Sequence, residues 1–402
     1  MTGDRKLPLL YIVATSPMVV HFFLRKHIVE LSKTFQIRLY LPVSSRDLCE
    51  ISSLPCEVRA IPIARKISLL WDCITFCGLF FAFITHRPAI VWSVGPKAGL
   101  LGTMAALAAG IQHRVFVFQG EVWSNKKGFI RRLLKFCDRL TAMSATHVLA
   151  VSQSEKDFLV TENVVSLDHI RVLGSGTICG VDVVRFKPNL AVRAAMRARL
   201  GIGDDEVVCI FVGRLNRDKG VLLLAQAFGD CRRKGLPLAL IIAGPEEDIS
   251  HAEISASAGS RDRLFLIGYT DRPEDLMAAA DFLCLPSRRE GFGMVVLEAA
   301  AIGIPAIGSA VYGITDAISQ GVTGLLVEDG NTSALCDAIK KLTEDQEMRF
   351  RLGKNAYRRV HHDFCSTSVI ARYVLYFNNI LAPSYQSPRQ VSRKGMVLRE
   401  LR

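Results

Sequence analysis

The chain has 402 residues, of which 50% are apolar, 22% charged and 8% aromatic, and this length predicts two or three domains. The composition is that of a packed globular protein. Since no heptad run and no repeat of fixed period occurs, coiled coils, collagen, solenoids and disordered chains are excluded. The net charge of +12 at neutral pH favours an anionic partner over a basic one.

The positive charge is unevenly distributed along the chain. Residues 1–185 have a net charge of +9, residues 186–383 one of −1, and the tail 384–402 one of +4. A solvated basic face would account for this pattern, and so would contact with phospholipid headgroups or with a lipid diphosphate. No recognition motif or aromatic platform accompanies the basic residues, so no nucleic-acid partner is expected.

The eleven cysteines predict free thiols in a reducing compartment. Their number is odd, no C-x-x-C pair occurs, and several lie inside apolar runs, such as Cys209 and Cys284. No His or Cys cluster has the spacing of a zinc site. The N-terminal residues lack the cleavage pattern of a secretory signal. We therefore expect a cytoplasmic protein.

The first half of the chain predicts a parallel α/β sheet. Short β-branched runs alternate with helix-like segments, and their continuous hydrophobicity is typical of strands buried on both faces. Helices are predicted at His21–Thr34 and Lys97–Ala109. The predicted strands are Leu9–Ala14, Ile37–Leu41, Ile90–Ser93, Arg114–Phe118 and His147–Val151.

A long apolar segment lies between the second and third of these strands. The nineteen residues from Ile67 to Thr85 carry one charge, Asp72, with basic residues on both sides. The segment is just long enough to span a bilayer, but the central Asp and the strand that follows favour a core helix or an interfacial helix. Its aromatic residues beside basic flanks suit shallow insertion at a membrane surface.

The second half repeats the alternation and predicts a second sheet. Its strands are predicted at Val207–Val212, Ala239–Ala243, Leu264–Ile267, Phe282–Pro286, Ala306–Gly308 and Gly324–Val327. We expect two doubly wound Rossmann-like domains, 1–185 and 186–365, that face a cleft, followed by a helix 366–383 that returns toward the first domain and a basic tail 384–402. Ligands of such sheets bind beyond the carboxyl ends of the strands.

A glycine-bounded basic loop, Gly213–Gly220, follows the strand Val207–Val212 and leads into a helix. Arg214 and Lys219 place two cations at the mouth of the strand, beside a helix N-terminus. This combination suits a diphosphate. The intervening Arg217 and Asp218 are expected to face solvent.

Two carboxylates follow the strand Phe282–Pro286. Glu290 is predicted on a loop and Glu298 inside the next helix, among apolar residues. An unpaired buried charge is costly, so Glu298 needs either a structural salt bridge or ligand hydroxyls as partner.

Together these segments resemble a known family. The E-x7-E pair of Glu290 and Glu298, with GRLNRDKG upstream, looks like the signature of retaining GT-B glycosyltransferases of the glycosyltransferase 4 type. SVGPKAGLLGTMAALAAG, AVSQSEKDF, GSGTICGVDVVRFKP and GVTGLLVEDGN also resemble segments of bacterial members that build capsule, O-antigen and other surface polysaccharides.

The resemblance implies a nucleotide-sugar donor, usually UDP-linked, in the second domain and an acceptor in the first. Arg214 and Lys219 would stabilise the departing diphosphate, Glu290 would contact the transferred sugar, and Glu298 would bind the ribose hydroxyls. Further donor contacts would come from Gly213 and from the amides of Phe292, Gly293 and Met294. No Asp-x-Asp occurs, and we expect neither metal nor cofactor, because the two cations replace a metal in this family.

Two positions depart from the family pattern. Many relatives have a His before a Gly at the end of a first-domain strand, where this chain has Gln119. An amide cannot act as a general base. The usual Gly-Gly of the N-terminal loop is also replaced, by Ala14-Thr15-Ser16. Ser16 and Gln119 are therefore candidate acceptor or sugar contacts. Lys97 is a third candidate, because it lies in the turn Gly95–Gly99 that enters a helix at the expected cleft and could meet an acceptor phosphate.

The sequence thus predicts a retaining transferase that moves a hexose or N-acetylhexosamine from a UDP-sugar to a lipid-diphosphate-linked or membrane-proximal glycan. It would act at the inner face of the cytoplasmic membrane, with its first domain against anionic lipid. Two alternatives remain: a soluble transferase with a small acceptor, and a catalytically silent GT-B scaffold subunit. The sugar, the linkage and the oligomeric state are not specified.

Overall fold

The computed structural model describes residues 7–44, 51–64 and 68–382. These residues form two compact units, one made of the chain up to Cys179 and again from Val369, the other of Gly180–Ser368. The chain thus changes unit at Cys179 and at Val369, whereas the sequence prediction placed these boundaries at residues 185 and 365. The basic tail lies outside the described residues, as do Arg65, Lys66 and Ile67 at the start of the apolar segment.

The first unit contains a parallel sheet of seven strands in the order β3-β2-β1-β4-β5-β6-β7. The strands are β1 (Leu9–Ala14), β2 (Gln36–Leu41), β3 (Glu57–Ala60), β4 (Ile90–Val94), β5 (His113–Phe118), β6 (His147–Ala150) and β7 (Ile170–Val172). The five predicted strands are confirmed. The sequence prediction missed β3 and β7 because these edge strands are short and partly exposed, so they lack a continuous apolar run.

Seven helical segments lie among the described residues before the second unit. The predicted helix His21–Thr34 is instead three pieces: α1 (Pro17–Val19), a π-helical turn (Val20–Leu24) and α2 (Arg25–Leu31). The others are α3 (Leu69–His86), α4 (Pro96–Ala108), α5 (Gly128–Ser144) and α6 (Gln153–Thr161).

Helix α3 corresponds to the long apolar segment, and it is buried on one face only. Thr75, Leu79 and Phe83 are buried, whereas its outer face exposes large apolar residues. Among the helices that the structure describes, α3 alone has the length and apolar composition needed to cross a membrane. Asp72, which lies in the first turn of the helix and not at its centre, pairs with Lys97 of α4 at 2.6 Å. This ion pair explains how an apolar helix of this domain accommodates a charge.

The second unit contains a six-stranded parallel sheet in the order β10-β9-β8-β11-β12-β13. The strands are β8 (Val207–Val212), β9 (Leu238–Ala243), β10 (Leu264–Ile267), β11 (Phe282–Leu285), β12 (Ala306–Ser309) and β13 (Gly324–Val327). Every predicted strand of this half is present. The central strands are buried along their length, as expected for a sheet covered on both faces.

Helices lie before, between and after these strands, and those between consecutive strands form the parallel crossovers. They are α7 (Leu190–Leu200), α8 (Val221–Arg233), α9 (His251–Ala258), α10 (Pro273–Ala279), α11 (Met294–Ile302), α12 (Ile314–Ala317), α13 (Thr332–Glu344) and α14 (Gln346–Arg359). A π-helical turn (Val360–Phe364) leads into the last helix, α15 (Ser366–Ile380).

The last helix packs into the first unit. Phe377 and Tyr373 of α15 contact Trp92 of β4, with ring centroids 5.0 and 6.1 Å apart, and His27 lies edge-on to both Trp92 and Tyr373. These fully buried rings contribute a large apolar area to the core. The two sheets, each with one change in strand order, confirm the predicted fold class of two doubly wound Rossmann-like domains.

Candidate active site

The loops that carry the predicted donor residues meet at one edge of the second sheet. Strand β8 has β9 on one side and β11 on the other, so the crossover direction changes between β8 and β11. This is the switch point at which open α/β sheets bind ligands, beyond the carboxyl ends of the strands. The segment Gly213–Gly220 follows β8, and Pro286–Gly293 follows β11.

Asn216 organises the loop after β8. Its Oδ1 accepts a hydrogen bond from the backbone N–H of Lys219 at 3.0 Å, which caps a short 3₁₀ turn (Arg217–Lys219). Its Nδ2 donates to a carboxylate oxygen of Glu247 at 2.6 Å, and Arg214 Nη1 lies 2.7 Å from both oxygens of Glu247. One buried amide therefore fixes the positions of both predicted cations.

Lys219 and Glu290 form the second ion pair of the site. Lys219 Nζ contacts Glu290 Oε1, and the buried hydroxyl of Ser287 donates to the same oxygen at 3.0 Å. The side chains of Lys219 and Glu290 are only 22% and 12% exposed. Two of the predicted catalytic residues, Lys219 and Glu290, are therefore paired with each other, whereas the third, Arg214, is paired with Glu247.

Two glycines allow the loops to approach closely. Gly220 has φ of +70°, and a Cβ there would overlap the carbonyl oxygen of Pro286 at the end of β11. Gly313 has φ of +81°, and a Cβ there would contact the carbonyl oxygens of Glu290 and Gly291. Any other residue at either position would combine backbone strain with a steric clash.

The loop after β11 ends at the N-terminus of α11. Gly293, with φ of +71°, precedes Met294, the first helical residue, so the helix amides point to the strand edge where an anion would be stabilised. The Phe292 ring packs on Phe364, with centroids 5.3 Å apart. The side chain of Phe292 therefore belongs to the core, and only its backbone is available to a ligand.

Glu298 lies on α11, and its carboxyl is a weaker acid than an ordinary glutamate. Burial raises the pKa of its carboxyl to about 7, although Arg185 lowers it and Glu274 raises it further. Arg185 itself donates to Glu274 at 2.8 Å. Among the described residues, none forms a hydrogen bond or ion pair with the Glu298 carboxyl. A direct structural salt bridge therefore does not account for this residue.

One prediction at this site holds for Arg217 and only in part for Asp218. Arg217 is exposed and the Asp218 side chain is 42% exposed, but Asp218 Oδ2 also lies 3.2 Å from Arg289 Nη2, and its carbonyl oxygen accepts from the N–H of Arg288 at 2.8 Å. Asp218 thus ties the two loops together. Sequence reasoning also missed Asn216, Glu247 and Ser287, although Glu247, like Arg214, lies in a loop that follows a central strand.

The remaining candidates lie at the carboxyl edge of the first sheet. Ser16 follows β1 and Lys97 follows β4, and these adjacent strands form the switch point of this sheet. Gln119 follows β5, the next strand along. Lys97 is engaged by Asp72, whereas the Ser16 side chain makes no capping hydrogen bond to α1. In the described part of the chain, no group of three or more His, Cys, Asp or Glu residues has a metal-binding arrangement.

Comparisons with known proteins identify the family. A profile named Glycosyl transferases group 1 matches residues 192–359, and one named Glycosyl transferase 4-like domain matches residues 25–176. The chain is 30% identical over 352 residues to the capsular polysaccharide biosynthesis glycosyltransferase CapM of Staphylococcus aureus, which spans 85% of this chain and 90% of CapM.

More distant relatives agree. The chain is 25% identical to a UDP-Gal:alpha-D-GlcNAc-diphosphoundecaprenol alpha-1,3-galactosyltransferase of Escherichia coli, over 75% of this chain and 78% of that protein. The crystal structure of Anabaena Alr3699/HepE with UDP-glucose superposes on 93% of this chain and 100% of that one, with a TM-score of 0.75 and 18% identity. The chain therefore belongs to the GT-B glycosyltransferases of the glycosyl transferases group 1 family.

Proposed function

We propose that the protein transfers a hexose or N-acetylhexosamine from a UDP-sugar to a lipid-diphosphate-linked glycan in surface polysaccharide assembly, with retention of configuration. The observation that carries the proposal is the pairing of Lys219 with Glu290 across the β8–β11 switch point, beside Arg214 and the N-terminus of α11. The names of CapM and of the Escherichia coli relative support the type of acceptor and pathway.

The ion pairs of the site define how the donor would be held. A diphosphate would replace Glu247 and Glu290 as the partner of Arg214 and Lys219, while the α11 amides from Phe292 to Met294 would bind phosphate or sugar oxygens beside Gly213. Glu290 would then be released to bind sugar hydroxyls, and Glu298 to accept from the ribose diol. Electrostatic stabilisation of the leaving diphosphate would be the main catalytic contribution.

Retention would follow from attack on the face of the departing phosphate. The acceptor oxygen would bond to the anomeric carbon as the bond from that carbon to the phosphate oxygen breaks, and the acceptor proton would pass to the leaving phosphate. Neither a metal nor a protein base is needed for this step, which is consistent with an amide at Gln119. Undiminished transfer in EDTA would support metal independence.

We further propose that the first unit rests on an anionic membrane through α3 and α5. Helix α4 packs between these two helices, and exposed apolar side chains lie on both, including Leu70 of α3 and Phe129 and Phe136 of α5. Six basic residues lie in or just before α5: Lys126, Lys127, Arg131, Arg132, Lys135 and Arg139. Apolar side chains flanked by cations match the interface of an anionic bilayer.

Co-sedimentation with vesicles of anionic phospholipid tests this surface. Phe129→Ser combined with Phe136→Ser is expected to reduce the vesicle-bound fraction, because both rings are exposed and would insert. Phe350→Ser is the control, since Phe350 is about as exposed as Phe129 but lies in the second unit. Equal binding by both variants, or no binding by the wild type, would favour the soluble alternative.

The reaction itself is tested with a labelled UDP-sugar panel and an undecaprenyl-diphosphate-linked sugar. Formation of a glycosylated lipid whose new linkage has the donor's anomeric configuration by NMR would support the proposal. An inverted linkage would contradict retention. Donor binding without transfer to any lipid-linked or small acceptor would favour the silent scaffold.

A further inference from the structure

A pair of buried carboxyl groups lies directly behind Gln119 in the first unit. Glu155 is fully buried and Glu121 is 2% exposed. The two carboxyls interact directly, although the residues are 34 positions apart in the sequence. Burial, and after it the proximity of Glu121, raises the pKa of the Glu155 carboxyl well above its usual range, and because the two carboxyls interact strongly this shift belongs to the pair. Two adjoining carboxyls in an apolar environment cannot both ionise at neutral pH, so they hold one proton between them.

The hydrogen bonds around Glu155 favour one position for the negative charge that the pair retains. Glu155 Oε1 accepts from the N–H of Gly120, and Oε2 accepts from the N–H of Val151 at 2.8 Å. Both oxygens therefore serve as acceptors from the backbone, which favours the charged form of Glu155. The shared proton then belongs on Glu121, which can donate it to Glu155.

These bonds join the ends of two strands. Gly120 comes two residues after β5, and Val151 comes directly after β6, so one carboxylate holds both turns at the carboxyl edge of the sheet. Gly120 has φ of +90°, a conformation open to glycine that turns the chain sharply after Gln119. The backbone position of Gln119 is thus fixed on one side by β5 and on the other by Glu155.

We propose that Glu155 and Glu121 are positioning residues for transfer, a proton-sharing pair that sets the Gln119 turn against the reacting sugar and acceptor. The proposal rests on the proposed function, in which Gln119 stands near the reacting groups. Neither glutamate is placed in contact with substrate. Loss of the shared proton at alkaline pH would put two charges side by side and push the Gln119 turn out of position.

Other titratable groups lie near the pair. Tyr373 of α15 interacts electrostatically with both Glu155 and Cys179, and burial raises the pKa of Tyr373 far above neutral. His27, which contacts the Tyr373 ring, has its pKa lowered by burial to about 4. The alkaline limb of a pH profile can therefore be assigned through the Glu121 variant below.

Two isosteric variants separate positioning from simple packing. Glu121→Gln keeps a neutral donor toward Glu155, so we expect transfer within about threefold of wild type at neutral pH, and activity that persists at alkaline pH where the wild type loses it. Glu155→Gln presents an amide NH₂ to a backbone N–H, so we expect kcat to fall about 10²-fold with an unchanged KM for the donor. The UDP-induced thermal shift is expected to remain in both variants, since the donor residues belong to the other unit.

Equal effects of the two variants, or an unshifted alkaline limb in Glu121→Gln, would overturn the inference. Amide hydrogen exchange at Gly120 and Val151 gives a readout that does not depend on activity. It should accelerate in Glu155→Gln and, at alkaline pH, in the wild type but not in Glu121→Gln. If the wild type transfers no sugar while exchange behaves in this way, the proposed function fails and the proton-sharing pair stands; unchanged exchange refutes the pair itself.

Discussion

Replacing Lys219 with alanine tests the proposed donor site, because Lys219 forms an ion pair with Glu290 there. The substitution removes the cation that contacts Glu290 and leaves that carboxylate with the Ser287 hydroxyl as its hydrogen-bond donor. If Lys219 stabilises the departing diphosphate, its loss should lower kcat by about 10²- to 10³-fold, the usual effect of deleting one donor to a developing negative charge.

The effect on stability should be much smaller than the effect on rate. Breaking an ion pair costs about 3–5 kcal/mol when it is fully buried and at most about 1 kcal/mol at the surface. Since Lys219 and Glu290 are 22% and 12% exposed, we expect a loss of about 1–2 kcal/mol, or about 4 °C in the melting temperature. The protein should therefore stay folded at assay temperature.

Steady-state transfer kinetics and thermal unfolding measured on the same samples check both numbers. Lys340→Ala is the matched control, because it breaks a surface pair with Glu344 that is more than half exposed; we expect no change in kcat and less than about 0.5 kcal/mol in stability. In the double variant Lys219→Ala, Glu290→Gln, stability should partly recover because no carboxylate is left unpaired, while activity should not. Wild-type kcat in Lys219→Ala would refute the role of this cation.

Three further predictions concern the loops and the core. Gly220→Ala should destabilise the protein by about 3 kcal/mol or more, since a Cβ overlaps the Pro286 carbonyl. The control Gly235→Ala, where φ is +80° but the space around the Cβ is open, should cost about 1 kcal/mol. Equal melting temperatures for the two variants would contradict the close approach of the loops. Asn216→Ala should weaken UDP binding about tenfold, because the buried amide fixes both Lys219 and Glu247, and an unchanged dissociation constant by calorimetry would assign Asn216 to folding alone. Burial lowers the pKa of His27 to about 4, so the folded protein binds fewer protons than the unfolded chain and loses stability as the pH falls below about 6.5. His27 should account for about 2 kcal/mol of this loss by pH 5. A His27→Gln variant whose stability, measured by urea unfolding, has the same pH dependence as the wild type would contradict this assignment.

Much of the fold follows from local sequence patterns. Central strands such as β4, β9 and β11 are buried on both faces, so they appear in the sequence as uninterrupted apolar runs. The edge strands β3 and β7 pair with one neighbouring strand each and carry charged residues, so their apolar runs are too short to recognise in the sequence. The π-helical turn at Val20–Leu24 also has no signal in apolar periodicity, because it changes the winding of a helix and leaves its composition unchanged.

The site could be predicted only where its residues are close in sequence. Glycines and charges that follow a strand predicted the loops around Arg214 and Glu290, and the family resemblance assigned their roles. Contacts such as Asn216 with Glu247, or Glu155 with Gly120, join segments more than thirty residues apart. They depend on which strands are neighbours, and no local pattern contains that information. For the same reason the contact of Asp218 with Arg289 was not predicted.

The most direct test of the central claim is thermal unfolding with UDP, GDP and ADP for the wild type and for an Arg214→Ala, Lys219→Ala double variant. A nucleotide at a hundred times its dissociation constant adds about 2.7 kcal/mol to stability. We predict a clear upward shift of the wild-type melting temperature with UDP and a much smaller shift in the double variant. No shift with any nucleotide, or an equal shift in both proteins, would contradict a nucleotide-sugar site built on these two cations.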